Sequence, residues 1–313
     1  MAGAYDAMLG DSLVAQSRTP SPHPVIGCRE DLNIGCVDET QDALAAYGNA
    51  LAWYVSRDGK YAKKAISYFN AWAGTIQGHA NSSAPLQTGF AGTSWARGAE
   101  IIRHTYTGWG ADDIAKFETM LRDVYLSRVI DGSSSGSQEL VMMEATQSIS
   151  VFLNDRASYD KAMNKYLGRI PAYIYLATDG AYWQGQIGFV NGIVQETCRD
   201  FAHTGYGIAA IGHIAETSRI QGTDLYVGEV GTRLRYALEF HSLYELGAAV
   251  PSWLCEGKLT LGLGPITEIG LNAMKTRLGY TMPTTQILTQ MQRPASTTSL
   301  LGWETLTHAE NPE

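Results

Sequence analysis

The sequence predicts an all-α fold, built of antiparallel helix pairs wound into an incomplete α/α barrel, or toroid, around a central cleft. Three observations carry this. Amphipathic runs of helical period fill most of the 313 residues. Gly, Pro, Asn and Asp punctuate nearly every junction between runs. Alternating β-branched stretches are scarce, the ambiguous GQIGFVNGIVQE (185–196) apart. Connections of short and medium length place successive helices antiparallel, as in a stacked solenoid or a toroid. No fixed-period repeat is visible, which disfavours the solenoid. The chain reads as one domain, 1–313, whose Pro- and Gly-rich segment 1–40 forms an N-terminal arm on the helical body.

The runs follow in order. Residues 41–57 place Ala43, Leu44, Tyr47, Leu51 and Tyr54 at three- and four-residue steps, and Asp58-Gly59 breaks the pattern. KYAKKAISYFNAWAG repeats it up to Gly74. Further runs cover 94–106, 112–130 and 139–153, then RASYDKAMNKYLGRIPAYIY, which ends near Pro171. The last two cover 199–220 and 223–247. Ser94 and Ser137 stand where N-caps are expected, and Glu139 suits a first turn.

Composition narrows the function. Apolar residues make up 45% and charged residues 17%, which excludes a disordered chain. A formal net charge of −8 with no Lys/Arg run disfavours nucleic acid and anionic membrane as partners, because both require a basic footprint. No apolar stretch is long enough to span a bilayer. The opening MAGAYDAML lacks the basic and apolar regions of a secretion signal, so any such signal is expected to have been removed or never to have existed. Cys28, Cys36, Cys198 and Cys255 allow four buried thiols or three pairings. Cys28–Cys36 and Cys198–Cys255 is the pairing expected of a secreted, oxidised protein. The sequon Asn81-Ser82-Ser83 agrees with secretion.

Several chemistries find no support. Gly132-Ser133-Ser134-Ser135-Gly136 satisfies G-x-S-x-G, but a helical pattern precedes it where a nucleophile elbow needs a strand. There is no P-loop, no G-x-G-x-x-G, no H-E-x-x-H and no Asp-rich calcium loop, so neither cofactor nor metal is expected. The informative segment is QETCRDFAHTGYG (195–207). On a helix starting near Arg199, His203 lies one turn on and Tyr206 three residues further, on one face, with Glu196 just upstream. Tyr182, Trp183, Gln184, Gln186 and Asn191 precede it. That mixture of aromatic rings and amides suits sugar recognition. A second cluster is Gln87, Trp95 and Arg97, bracketing a Gly-rich turn; a third is Gln138 and Glu139, opening a helix.

APLQTGFAGTSWARGAEII, SGSQELVMMEATQSISVF, QETCRDFAHTGYG, GPITEIGLN and GWETLTHAENP, in that order, resemble the alginate-lyase-type α/α-toroid polysaccharide lyases from about residue 40 to the C-terminus. The resemblance implies cleavage of a uronate polymer, alginate or a glucuronan, by β-elimination. Such a reaction neutralises the uronate carboxylate, removes the C5 proton and protonates the leaving O4. The resemblance assigns proton handling to His203 and Tyr206, and places Glu196, Arg199 and Gln138 around the carboxylate. Trp95, Arg97, Gln87, Trp183 and Asn272 are the expected substrate contacts. Two positions depart from the family's pattern. An Asn-rich stretch is replaced by Ser135-Gly136-Ser137-Gln138-Glu139, and an expected Tyr-Asn-His reads Leu271-Asn272-Ala273. Two rival readings follow. One is a glycoside hydrolase on the same fold, with Glu139, Glu196, Asp200 and Glu256 as candidate acids. The other is a carbohydrate-binding protein that has lost its proton shuttle at 271 and 273.

Overall fold

The computed structural model of the chain describes residues 2–29, 32–180, 190–300 and 302–313. It is a two-layered α/α toroid of parallel inner helices backed by outer ones. The helix α1 (Ala2–Gly10) leads to a small sheet, β1 (Val25–Arg29) and β2 (Leu32–Ile34), and then to α2 (Cys36–Ser56) and α3 (Gly59–Ala73). The strand β3 (Gly78–Ala80) precedes α4 (Ala84–Thr105) and α5 (Ala111–Met120). The last of these continues through a π-helical stretch, Leu121–Leu126, into α6 (Ser127–Val129). The pair α7 (Ser137–Leu153) and α8 (Arg156–Tyr173) follows, then α9 (Phe201–Ile220) and α10 (Glu229–Glu245). Short helices close the chain: α11 (Glu268–Leu271) with its π-helical continuation Asn272–Arg277, α12 (Pro283–Gln292) and α13 (Glu304–His308).

Helices α2, α4, α7 and α9 pack side by side as the inner layer, with α3, α5, α8, α10 and α12 outside. Their composition explains the position. Each inner helix is buried on nearly every face, so apolar and small residues surround its axis in place of a single stripe. Gly and Ala allow the close approach. A Cβ on Gly98 of α4 would lie 3.1 Å from the Tyr47 Cα of α2, and one on Gly89 would lie 2.8 Å from Val141 of α7. Glu144 and Gln147 of α7 bond His213 and Ile214 of α9. Partner numbers rise together along each pair, so the inner helices are parallel. Their N-termini therefore gather at one mouth of the ring and their C-termini at the other. The ring is completed through α11, α13 and α1, which packs back on α2.

The structure differs from the sequence reading at two points in α4. The Gly-rich stretch 84–93 is the first half of α4, not a turn before it, because Gly89 and Gly92 are needed where α7 crosses close. Ser94 is accordingly buried inside the helix and is no cap. The first 40 residues, expected as an arm on the helical body, hold α1, the strands β1 and β2 and the first residues of α2. Strand β1 pairs antiparallel with β2, and in parallel with β3 in the register Val25–Gly78, Ile26–His79 and Gly27–Ala80. Both expected disulfides are present. Cys28–Cys36 ties β1 to the first residue of α2, and Cys198–Cys255 ties the loop before α9 to the loop after α10. Among the described residues no helix is long and apolar enough to cross a membrane.

Candidate active site

The N-terminal mouth gathers the QETCRDFAHTGYG residues. Asp200 is the N-cap of α9, and its side chain accepts the His203 backbone N–H at 2.7 Å. The same carboxylate faces His203 Nδ1 at 2.8 Å through both oxygens. Nδ1 therefore carries the ring proton, and the lone pair stands on Nε2, which has no partner among the described residues. Burial alone would raise the Asp200 pKa. The hydrogen bonds from His203 and the charge of Arg199 outweigh it and hold this carboxyl below the usual range. Tyr206 lies one turn further along α9. Its ring meets that of His203 edge-on at 6.1 Å and that of Phe90 of α4 at 5.3 Å.

Glu196 is the hub behind these groups. It is buried, and its Oε2 accepts the Ser137 N–H at the start of α7 at 2.6 Å and the Tyr173 hydroxyl at 3.2 Å. Its Oε1 accepts from Arg199 at 3.1 Å. Two glycines make room for this. Gly136 has φ +68°, and a Cβ there would lie 2.6 Å from the Glu196 carboxyl. A Cβ on Gly207 would lie 2.0 Å from the Tyr173 hydroxyl. The phenol of Tyr173 is pushed well above its ordinary pKa, by burial first and by Glu196 second, so it acts only as a donor. A single carboxylate thus locks α7, α8 and the loop before α9 together, and it tethers Arg199, whose side chain remains 59% exposed. Gln138, half-buried in the first turn of α7, carries no hydrogen bond among the described residues. Glu139 pairs with Lys165 at 3.2 Å and Arg169 at 3.0 Å.

The other expected contacts lie elsewhere. Trp95 is fully buried: its indole N–H donates to Tyr125 Oη at 3.1 Å, and that hydroxyl donates to Glu39 at 2.6 Å. Gln87 is buried in the same network, donating to Glu39 at 2.6 Å. Both serve a core carboxylate, Glu39 of α2, on faces of α4 that meet protein. Arg97 sits at the opposite mouth, among the C-terminal turns of the inner helices. Asn272 is buried beside a cavity of about 20 Å³, room for a water and not for a sugar ring. Its neighbours Leu271 and Ala273 are core residues. Trp183, with Tyr182, Gln184 and Gln186, lies outside the described residues.

Sequence reasoning missed two parts of this arrangement, the Asp200 grip on His203 and the Tyr173–Glu196 bond. The first has a local signal: D-x-x-H places an acceptor at the N-cap and a ring at N3, the spacing of a capping box. The second joins residues from different helices and has no local signal.

Comparison with known proteins gives a family and a fold. The model of a family described as "Alginate lyase" matches residues 36–249. Among solved structures, a Tyr-to-Phe variant of alginate lyase A1-III complexed with a tetrasaccharide is similar over 100% of this chain and 94% of its own. The TM-score is 0.67 and the identity 15%. Alginate lyase A1-III from Sphingomonas species A1 is similar over 97% of this chain and 90% of its own, with TM-score 0.64 and identity 15%. No curated protein matches the sequence.

Proposed function

Because the chain belongs to the alginate lyase family and is accordingly a polysaccharide lyase, we propose that it cleaves a uronate polymer, alginate or a glucuronan, by β-elimination at the N-terminal mouth. The observation that carries this reading is the group of a tethered cation just before α9 and a freed imidazole nitrogen and a phenol in its first turn and a half.

In this mechanism Arg199 approaches the uronate carboxylate and the Gln138 amide donates to it. Four helix N-termini at the same mouth add partial positive charge, which matters in a chain of net charge −8. Neutralising the carboxylate makes the C5 proton removable. His203 Nε2 takes that proton, and the Tyr206 hydroxyl delivers one to the leaving O4, so the C4–O4 bond breaks as the C4–C5 double bond forms. Asp200 fixes the tautomer of His203, and Glu196 positions Arg199 without touching substrate.

Three of the four carboxylates a hydrolase would draw on are already engaged by donors: Glu139 by Lys165 and Arg169, Glu196 by Ser137, Tyr173 and Arg199, Asp200 by His203. Hydrolysis requires a free carboxylic acid at the leaving oxygen, so this engagement favours elimination. The two disulfides further support secretion into an oxidising compartment. Mass spectrometry of products from alginate and glucuronan tests the reaction. Elimination leaves fragments lighter by one water than those of hydrolysis, and saturated fragments alone would refute it.

A further inference from the structure

A second cavity opens at the opposite mouth, where α2, α4, α7 and α9 end and α13 packs across. It encloses about 530 Å³, the size of a small-molecule site. His213 in its lining follows Tyr206 by seven residues, about 10 Å along α9, so this space is distinct from the N-terminal mouth. The walls are aliphatic, with Leu51, Ile101, Val151, Ile269 and Leu306 inside. Tyr54, Val55 and Ile220 lie exposed at the rim.

The polar floor is electrically balanced. His213 Nδ1 meets Glu144 at 2.7 Å, its Nε2 meets Glu304 at 2.8 Å, and Arg97 lies 3.4 Å from Glu144. Two cations therefore face two carboxylates. Burial pushes His308 down to about 4, so its ring is neutral at physiological pH. Of the other carboxylates in the lining, Glu216 is paired with Arg219 and Arg277, and Glu100, 3.2 Å from His104, is held above the usual carboxylate range by burial, so neither charge sign finds a vacant counter-charge here. The surrounding helix C-termini disfavour an anion further, and Arg97 disfavours a cation. Hydrogen-bonding capacity is nonetheless left over. Among the described residues, the Tyr47 hydroxyl, Arg97 Nη1 and His308 Nε2 carry no hydrogen bond, while Arg97 Nε and Nη2 are held by Ser148 and Thr217.

We propose that this mouth binds an uncharged amphiphile, an apolar body bearing a hydroxyl head of the phenol class, with the head at Tyr47, Arg97 and His308. A hydroxyl both donates and accepts, as these three groups require, and the aliphatic walls suit a hydrocarbon ring better than a sugar.

Calorimetric titration of the full chain with para-ethylphenol, para-ethylbenzoate and para-ethylbenzylamine tests this, since the three share a body and differ in head charge. The phenol is expected to bind saturably, with the charged analogues at least tenfold weaker. Ile220→Trp, at an exposed rim position that folding tolerates, is expected to weaken the phenol tenfold or more, and Tyr47→Phe severalfold. Polymer cleavage should be unchanged in Ile220→Trp. Absence of saturable phenol binding, equal or tighter binding of a charged analogue, or full phenol affinity in Ile220→Trp would each overturn the assignment.

Discussion

Asp200 holds His203 twice, by the backbone N–H at 2.7 Å and by ring Nδ1 at 2.8 Å. One residue thereby starts the helix and fixes the tautomer of the imidazole it carries. The two roles separate by substitution. Asn caps helices about as well as Asp, but it is neutral and no longer selects the proton on Nδ1. Asp200→Asn is therefore expected to keep the melting temperature within a few degrees. It should lower kcat about 10²- to 10⁴-fold with KM little changed, measured by steady-state kinetics beside thermal melts.

Glu196 acts through Arg199 and the α7 N-terminus. Glu196→Gln removes a charge from a buried carboxylate that serves three donors, and Arg199 is then untethered. The expected result is a rise in KM for the polymer of about tenfold or more, from loss of a positioned cation. A stability loss of about 1–3 kcal/mol should accompany it. Unchanged KM in Glu196→Gln would mean that the tether does not serve binding.

Gly207 has no room for a side chain, since a Cβ would stand 2.0 Å from the Tyr173 hydroxyl. Gly207→Ala is expected to cost about 1–3 kcal/mol by overpacking and to reduce activity by displacing Tyr173 from Glu196. Urea unfolding together with the rate on polymer checks both; wild-type stability would show that the helix accommodates the methyl.

The buried His213 gives a pH signature. Desolvation would lower its pKa, but Glu144 and Glu304 outweigh that and raise it to about 9, from 6.5 in the unfolded chain. A raised pKa means that the folded state holds the proton longer. The stabilisation is complete below about pH 6.5, declines between 6.5 and 9, and is gone above the folded value. A shift of that size corresponds to roughly 3 kcal/mol. Chemical unfolding across this window should show the decline in the wild type. In His213→Gln, already weaker because two carboxylates lose their cation, the decline should be missing.

The Cys198–Cys255 bond spans 57 residues and lies between Glu196 and Arg199 on one side. Loop-closure entropy assigns such a cross-link about 4 kcal/mol. Cys198→Ser with Cys255→Ser is expected to lose stability of that order, seen by guanidinium unfolding. The same change should raise KM by loosening Arg199. Cys28→Ser with Cys36→Ser closes only a short loop and should matter less.

The helical periodicity told the fold class, because residues such as Tyr47 and Leu51 repeat at the helix step. It misplaced the start of α4, because glycines that read as a turn are there for helix crossing, a tertiary demand that no local pattern carries. The His203–Tyr206 stripe was legible because it lies on one helix. Trp95 and Gln87 misled for the opposite reason. Polar and aromatic groups on an inner helix look the same in sequence whether they face a cleft or a buried carboxylate such as Glu39. Arg97 and His213, seven and more residues along their helices, belong to the other mouth; only the parallel arrangement of the inner helices reveals that.

The most direct test follows near-ultraviolet absorbance of the C4–C5 double bond. The wild type, His203→Gln and Tyr206→Phe would each be given alginate, its mannuronate-rich and guluronate-rich fractions, and glucuronan. The account predicts rising absorbance for the wild type on at least one polymer, and a loss of at least 10²-fold in rate for each variant with its melting temperature retained. New reducing ends without absorbance, or wild-type rates in both variants, would contradict it.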